Sequence, residues 1–528
     1  MVKAVALDYG ACIRPVQLRK TNLDTGEVEQ VLIPCGSTLA KVCLPCAERA
    51  KVLRAVQCRE GWHLEDEPAA DPRPPDDYQK WLIETLADLH SGSDQPPAAD
   101  QDTIGLDDLI DALEEELAAT GVRGHPDPSN KKDGGSRPGD RKRPRRHRST
   151  RRRQDAPDLP GRTMNSSTVG RVYPGRNGQL YRPSMFITLT CPSYGPVRDD
   201  GTPVDPDGYD YESAARDALH FAALFDRFIQ NLRRFAGFDV QYFAAVEPQR
   251  RLAPHLHIAI RGTISRADLR KVLAATYHQV WWPATSEVHF DDDHRPVWHE
   301  ASGRYLDPET GEFLPSWDEA LDAIGPHDPP RHMARFGPKF DAQGVLAGSK
   351  DASRCIGYLT KYLVKQVAEC HTPETDAQRA HAGRLIEALR YEPCSPTCAN
   401  WLRYGITPKN PRPGLLPGAC KGKAHRHEHL GYAGRRILVS RKWSCKTLAD
   451  HRGDRKAWLM EQLGLSATDD NSRYRWQRVT PADEDYLPLT RRLMLVVEDR
   501  MRWKRDLDEA RRRAAPQPDK PAATRSAA

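Results

Sequence analysis

The chain lacks any long apolar run. None of its 528 residues sits in a stretch approaching the roughly 20 apolar positions that a membrane-spanning helix needs. The N-terminal MVKAVALDYG also lacks the long apolar core of a signal peptide. The expected location is therefore the cytoplasm, with no membrane partner. There, the 12 cysteines are better read as thiols or metal ligands than as disulfides. No GxxxxGKS or GxxxxGKT loop occurs, which argues against a built-in P-loop helicase.

A net charge of +6 excludes little, because the charge is segregated. Residues 65–118 hold 17 Asp/Glu against two Lys/Arg, and residues 141–153 hold nine Lys/Arg and no acid. Residues 401–460 hold 14 Lys/Arg and three Asp/Glu, interleaved with aromatics and turns. A basic, folded surface of that kind favours a polyanionic partner. The 43 prolines and 36 glycines, with the charged stretches, point to an unstructured portion.

These shifts divide the chain into a cysteine-rich module (1–60) and an acidic-then-basic linker (61–165). A folded domain (166–390) follows, carrying a Pro/Gly/Asp-rich insertion at 289–350. Next come a second Cys/His cluster with its basic segment (391–460) and a helical C-terminal region with a disordered tail (461–528). Within the linker one helix is expected over about 104–119. In the folded domain, SMFITLT (184–190) alternates as a strand does. Residues 211–236 place Phe221, Phe225, Phe228, Leu232 and Phe235 on one helical stripe. A strand is expected over 239–247, and a helix capped by Ser265 running to about Trp282. Residues 461–463 and 488–514 also read as helical.

The segment Pro254-His255-Leu256-His257-Ile258 is the most informative. Alternation puts His255 and His257 on one strand face, with Leu256 and Ile258 on the other. Imidazole pairs suit Mn²⁺-like ions, and a carboxylate usually completes such a site. A short turn would fold Glu247 back beside His255, making it the third ligand. Two histidines at this spacing are, alone, more often ordinary strand residues, with Glu247 capping a turn.

The helix expected over about 353–369 carries Tyr358 and Tyr362 on one face, with Lys361 and Lys365 nearby and Ile356, Leu359, Leu363 and Val367 opposite. Tyrosine pairs are more often packing residues, but the lysines argue against a core face. A phenol has a pKa near 10. To act as a nucleophile it needs a metal to polarise the phosphate and cations to stabilise the developing charge.

Cys43 and Cys46 form a CxxC with Cys35 and Cys12 upstream, a four-thiolate set suited to Zn²⁺, with Cys58 as rival. Cys394, Cys398 and Cys420 with His425, His427 or His429 suggest a second zinc site, His425 being the favoured ligand. Cysteines 191, 355, 370 and 445 read as plain. Arg435, Arg436, Arg441, Lys442 and Lys446 with Tyr432 and Trp443 have the composition of a nucleic-acid surface.

FITLT (186–190), HLH (255–257) and YLTKYLVK (358–365) resemble the three ordered motifs of rolling-circle replication initiators with a His-hydrophobe-His metal motif. The resemblance is closer to actinobacterial plasmid and integrative-element initiators, through CPSYGPV (191–197), AVEPQRRLAPHLHIAIRG (245–262), WDEALDAI (317–324), NWLRYGITPKNPRPG (400–414) and GYAGRRILVSRKWSCKTLADHR (431–452). It implies an α+β fold: a central antiparallel sheet of about five strands flanked by helices, as in HUH nucleases of RRM/ferredoxin-like type, plus small zinc-ribbon-type modules. It also implies Mg²⁺ or Mn²⁺ at the histidines, and a tyrosine that nicks single-stranded DNA at a plasmid double-strand origin. The nick leaves a 5′-phosphotyrosine and a 3′-OH primer, with strand transfer at termination. Host helicase and polymerase would be partners. Two other readings stand beside it: a two-tyrosine single-strand transposase, and a zinc-containing DNA-binding protein without nuclease activity.

Overall fold

A computed structural model describes residues 2–62, 158–170, 180–325, 328–346, 349–361, 373–433, 436–448, 450–454 and 473–514, with isolated positions at 64, 67, 82, 85, 173, 174 and 457. In chain order the elements begin with α1 (Val2–Asp8), β1 (Val16–Asn22), β2 (Val28–Ile33), α2 (Ala40–Trp62), β3 (Tyr173–Pro174), β4 (Leu180–Tyr181) and β5 (Pro183–Thr190). Then come α3 (Tyr211–Ala236), β6 (Tyr242–Pro248), β7 (Pro254–Arg261), α4 (Arg266–Ala274), β8 (Tyr277–Val280), β9 (Val297–His299), β10 (Arg304–Leu306) and α5 (Trp317–Asp322). The last are β11 (His332–Arg335), β12 (Phe340–Leu346), α6 (Lys350–Thr360), α7 (Asp376–Tyr391), β13 (Ile437–Val439), β14 (Tyr474–Arg478) and α8 (Leu489–Ala514).

Two units emerge. One comprises Met1–Gln57, Pro72–Lys132 and Lys446–Ala528; the other comprises Cys58–Asp71 and Asp133–Cys445. In the first, β1 lies between β14 and β2, antiparallel to both. The C-terminal strand thus completes the N-terminal sheet, so sequence proximity does not define this unit. Ala6 and Ala11 pack on Leu493 and Val497 of α8.

The second unit is built on a five-stranded antiparallel sheet of order β12-β5-β7-β6-β13, with β7 at its centre. Register fixes what each face carries, because side chains alternate. Ile187 and Ala244 flank Ile258, and Leu189 and Val246 flank Leu256. These residues are buried with Phe221, Leu224, Phe225, Phe228 and Leu232 of α3. The stripe on α3 has the expected spacing, and the ends match the expected 211–236: Asp210 caps it by accepting from the Ser213 amide, and Gly237 closes it at φ 73°. The opposite sheet face is left for chemistry.

Three expectations are corrected. The helix begun by Ser265 ends at Ala274, not near Trp282. Tyr277 and Val280 favour an extended chain and pair with β11 instead. The stretch 289–350 is not wholly an insertion: β12 is an edge strand of the central sheet, pairing with β5 from Phe340↔Leu189 to Leu346↔Pro183. As an edge strand it buries only part of one face, so its pattern is weak. The tyrosine helix starts at Lys350, three residues earlier than expected, where Ser349 accepts from the Ala352 amide. The helices expected over 104–119 and 461–463 lie outside the described residues, as does most of the 61–165 linker.

Candidate active site

The hairpin of β6 and β7 places Glu247 opposite His255 and Ala245 opposite His257. From the other side β5 places Thr190 opposite His255 and Thr188 opposite His257. All five polar groups therefore share the face away from α3. Ligand atoms of Glu247, His255 and His257 lie within 4.8 Å of one another, and His257 Nε2 is 3.3 Å from Glu247 Oε1. The connecting turn is held by Gln249 N–H donating to Ala253 O at 2.9 Å, and Leu252 adopts a left-handed φ of 64° to close it.

Burial, then the neighbouring His257, pushes His255 down to about 4. It is therefore neutral near pH 7, the form that binds a metal. Thr190 Oγ1 lies 2.7 Å from His255 Nδ1, and Thr188 Oγ1 lies 3.1 Å from His257 Nδ1. With each Nε2 aimed at a metal, the Nδ1 protons are donated to these hydroxyl oxygens, fixing tautomer and ring orientation. The donor set of two imidazoles and a carboxylate fits a divalent cation. The two threonines were not identified as functional from sequence. Their signal was present in the hydroxyl alternation of FITLT, but only the register reveals what the hydroxyls face.

Tyr358 lies on this same face. Its ring meets His257 edge-on, with centroids 4.7 Å apart at 77°; Phe186 stacks on His257 at 5.7 Å and 10° and meets Tyr358 edge-on at 6.3 Å, so the three rings form one cluster. Tyr358 is 44 % exposed. Ala352, Cys355, Ile356 and Leu359 are the buried stripe that holds the helix down. A small depression is lined by Glu247, His257, Tyr358, Leu359 and Arg436, with Ala245, Val246 and Ile437 completing it. Arg436 is fixed at the edge by Val246 N–H donating to its carbonyl at 2.8 Å. Lys361 follows α6 as its C-cap, exposed to solvent. Tyr362, Lys365, Leu363 and Val367 lie outside the described residues.

Two cysteine clusters lie elsewhere. Cys12, Cys35, Cys43 and Cys46 converge where α1 and β2 end and α2 begins, with Cys43 in an extended conformation (φ −156°, ψ 97°) that turns its thiol inward. Cys35 and Cys46 Sγ atoms are 3.7 Å apart, and those of Cys12 and Cys43 are 3.8 Å apart. That is far beyond a disulfide bond. A tetrahedral Zn²⁺ with Zn–S near 2.3 Å requires about 3.8 Å. Hydrogen bonding among the crowded sulfurs lowers Cys46 strongly and Cys43 to about 7 while raising Cys12 and Cys35. Cys58 is not part of the cluster.

The second cluster brings together Cys394, Cys398, Cys420 and His425, with His425 Nε2 3.5 Å from Cys398 Sγ. His425 Nδ1 donates to Leu389 O at 2.8 Å, leaving Nε2 for a metal. Cys394, Cys398 and Cys420 pack beside Trp317 and Trp401. His427 and His429 are not among the ligand atoms. Both clusters can hold a metal such as zinc.

The sequence matches the family model described as replication initiator protein, pSAM2 (RepSA), over residues 1–499. The chain belongs to this family. No curated protein matches it, and no solved structure matches it. A replication initiator of this family has origin DNA as its partner, and among its described residues no helix is long and apolar enough to cross a membrane.

The residues of the expected DNA surface differ in their surroundings. Arg441 is exposed, Lys442 pairs with Asp239 at 3.4 Å, and Lys446 pairs with Asp454 at 2.8 Å. Trp443 is a correction: it is 0 % exposed, packed against Trp62, Phe243 and Arg261, so it offers no ring for base stacking. Tyr432 is likewise buried, on Phe221. Composition could not separate a stacking aromatic from a core one. Arg435 lies outside the described residues.

Proposed function

We propose that this initiator is a metal-dependent, site-specific nickase and strand transferase for single-stranded DNA at a plasmid-type rolling-circle origin. The observation that carries the reading is the seating of Tyr358 against His257, in one open depression with Glu247. Glu247, His255 and His257 would hold Mg²⁺ or Mn²⁺, which supplies Lewis-acid polarisation of a phosphate oxygen.

The chain's own groups account for the rest. Phe186 and Tyr358 both pack on the His257 ring, and Thr188 and Thr190 orient both imidazoles. The phenol oxygen of Tyr358 or Tyr362 forms a bond to phosphorus as the bond from phosphorus to the 3′ oxygen breaks. The phenol gives up its proton and the departing oxygen gains one. The products are a 5′-phosphotyrosine and a free 3′-OH. The reverse reaction, with a new 3′-OH as nucleophile, rejoins the strand. A second tyrosine four positions on in the sequence would permit a second cleavage without water. Lys361, Lys365 and Arg436 would offset charge on the phosphate. Host polymerase would extend the 3′-OH, and a host helicase would open the duplex. Two zinc ions would brace the cysteine clusters.

The test is a denaturing gel of purified protein with a labelled origin strand and Mn²⁺, alongside Tyr358→Phe, Tyr362→Phe and the double variant. A metal-dependent covalent adduct abolished in the double variant is expected. An adduct that survives in the double variant refutes the tyrosine mechanism.

A further inference from the structure

A second anion site lies away from the depression. The loop Asn165–Gly170 is tied down on its own unit: Asn165 N–H donates to Gly237 O at 2.8 Å, and Asp239 N–H donates to Ser167 O at 3.1 Å. Gly170, at φ 79°, packs so closely that a Cβ there would lie 2.9 Å from Gly262 Cα. The loop thereby gathers a set of donors around one point. The carboxylate of Glu67 sits among them. Its Oε1 accepts from the amides of Thr168 (2.7 Å) and Val169 (3.1 Å) and the hydroxyl of Ser167 (2.7 Å). Its Oε2 accepts from the Thr168 hydroxyl (2.7 Å) and amide (2.9 Å).

Beside the cradle lies Arg261, only 2 % exposed. Its Nη2 donates to Lys442 O at 2.6 Å and lies 3.5 Å from Thr168 Oγ1. Its Nε and Nη1 have no hydrogen-bond partner among the described residues. Burial brings it down to about 10, against which the Glu67 charge acts, so it remains a cation near neutral pH. A buried guanidinium with open donors next to a ring of amide and hydroxyl donors is a site for an oxyanion. Amide and hydroxyl donors of this kind commonly hold nucleic-acid phosphates.

We propose that the Ser167–Val169 cradle with Arg261 binds a backbone phosphate of DNA, and that Glu67 occupies it as an internal competitor which DNA displaces. The occupant fits that role. Glu67 stands near the start of the stretch 65–118, with its 17 acids and two bases. The exposed Arg441 suits the same polyanion. The inference rests on DNA as the partner and not on tyrosine cleavage.

The experiment is fluorescence anisotropy of the full chain with an uncut, labelled single strand across a salt series, which reads binding whether or not an adduct can form. Glu67→Ala should bind more tightly than the parent, by about threefold or more at about 50 mM salt. Its log–log salt slope should be steeper by about 0.7, the contribution of one more phosphate contact on a single strand. Adding Ser167→Ala and Thr168→Val to Glu67→Ala should remove that gain. Millimolar inorganic phosphate should also erode it. Should Glu67→Ala lower the melting temperature, Glu67→Gln removes the charge while keeping an accepting oxygen, and the same tightening is expected. Unchanged or weaker DNA binding in a variant that melts like the parent overturns the proposal. So does phosphate that raises the melting temperature of Glu67→Ala while DNA affinity stays at the parent value.

Discussion

Valine at Thr190 removes one oxygen and leaves the side-chain shape. That oxygen is 2.7 Å from His255 Nδ1. With a divalent cation on Nε2, the Nδ1 proton is donated to it and the bond is strengthened by the imidazole's acquired positive character. Hydrogen bonds to charged groups contribute about 1.5–3 kcal/mol net. Loss of a partner behind a metal-bound histidine costs about 10- to 100-fold in metal affinity, which is about 1.4–2.7 kcal/mol, so the two scales agree. Gln249 does not compensate: its Nε2 lies 3.2 Å from the same Nδ1 but is a donor, and its Oε1 is engaged by Arg251 at 2.8 Å. Thr188→Val should cost less, because its contact is longer at 3.1 Å. Thr190→Ser should recover most of the loss. Mn²⁺ titration followed by electron paramagnetic resonance measures the affinity directly, without turnover. Parent-like affinity in Thr190→Val, with melting unchanged, would refute the claim that the strand β5 threonines orient the metal histidines.

Other outcomes follow from the same geometry. Arg436→Gln should lower the single-turnover nicking rate by about a hundredfold, the scale for losing one positioned charge-stabilising donor, while strand affinity by anisotropy changes little; equal losses in both would make Arg436 a general DNA contact. Elemental analysis of the desalted protein should find two zinc per chain, falling to one in Cys46→Ser and to one in Cys398→Ser, and a metal-free parent would contradict both clusters. Acid should destabilise the chain through His220. Burial, then His278, His332 and the cations Arg331 and Arg216, push its folded value down to about 3, against about 6.5 unfolded. Stability held above pH 6.5 is therefore lost as pH falls toward 3, by up to about 1.4 kcal/mol per unit, and His220→Gln should flatten the fall in melting temperature.

What could be read from sequence follows a physical division. Strong periodicity, as in the phenylalanines of α3 and the alternation of β5 and β7, is imposed by a two-sided environment and survives in the sequence. The convergence of Glu247, His255 and His257 was legible because Glu247 and His255 are separated by one short hairpin, so local register decides their meeting. Both cysteine clusters were legible because closely spaced cysteine pairs are a compact metal-ligand signature. Elements defined by distant pairing were not. β12 is an edge strand with a partly exposed face, and β14 joins a strand more than 450 positions away. The Thr–His contacts depend on the pairing of β5 with β7, which the sequence does not state. Trp443 carries the composition of a DNA surface and the environment of a core.

The most direct test of the central claim is to map the covalent bond. The initiator would be incubated with Mn²⁺ and an origin-derived single strand, digested with nuclease and protease, and its nucleotide-bearing peptide sequenced by mass spectrometry. The account predicts a nucleotide attached through phosphate to Tyr358 or Tyr362, dependent on metal and lost in His257→Ala. A nucleotide on any other residue, or a strand cut without any protein-linked nucleotide, would contradict it.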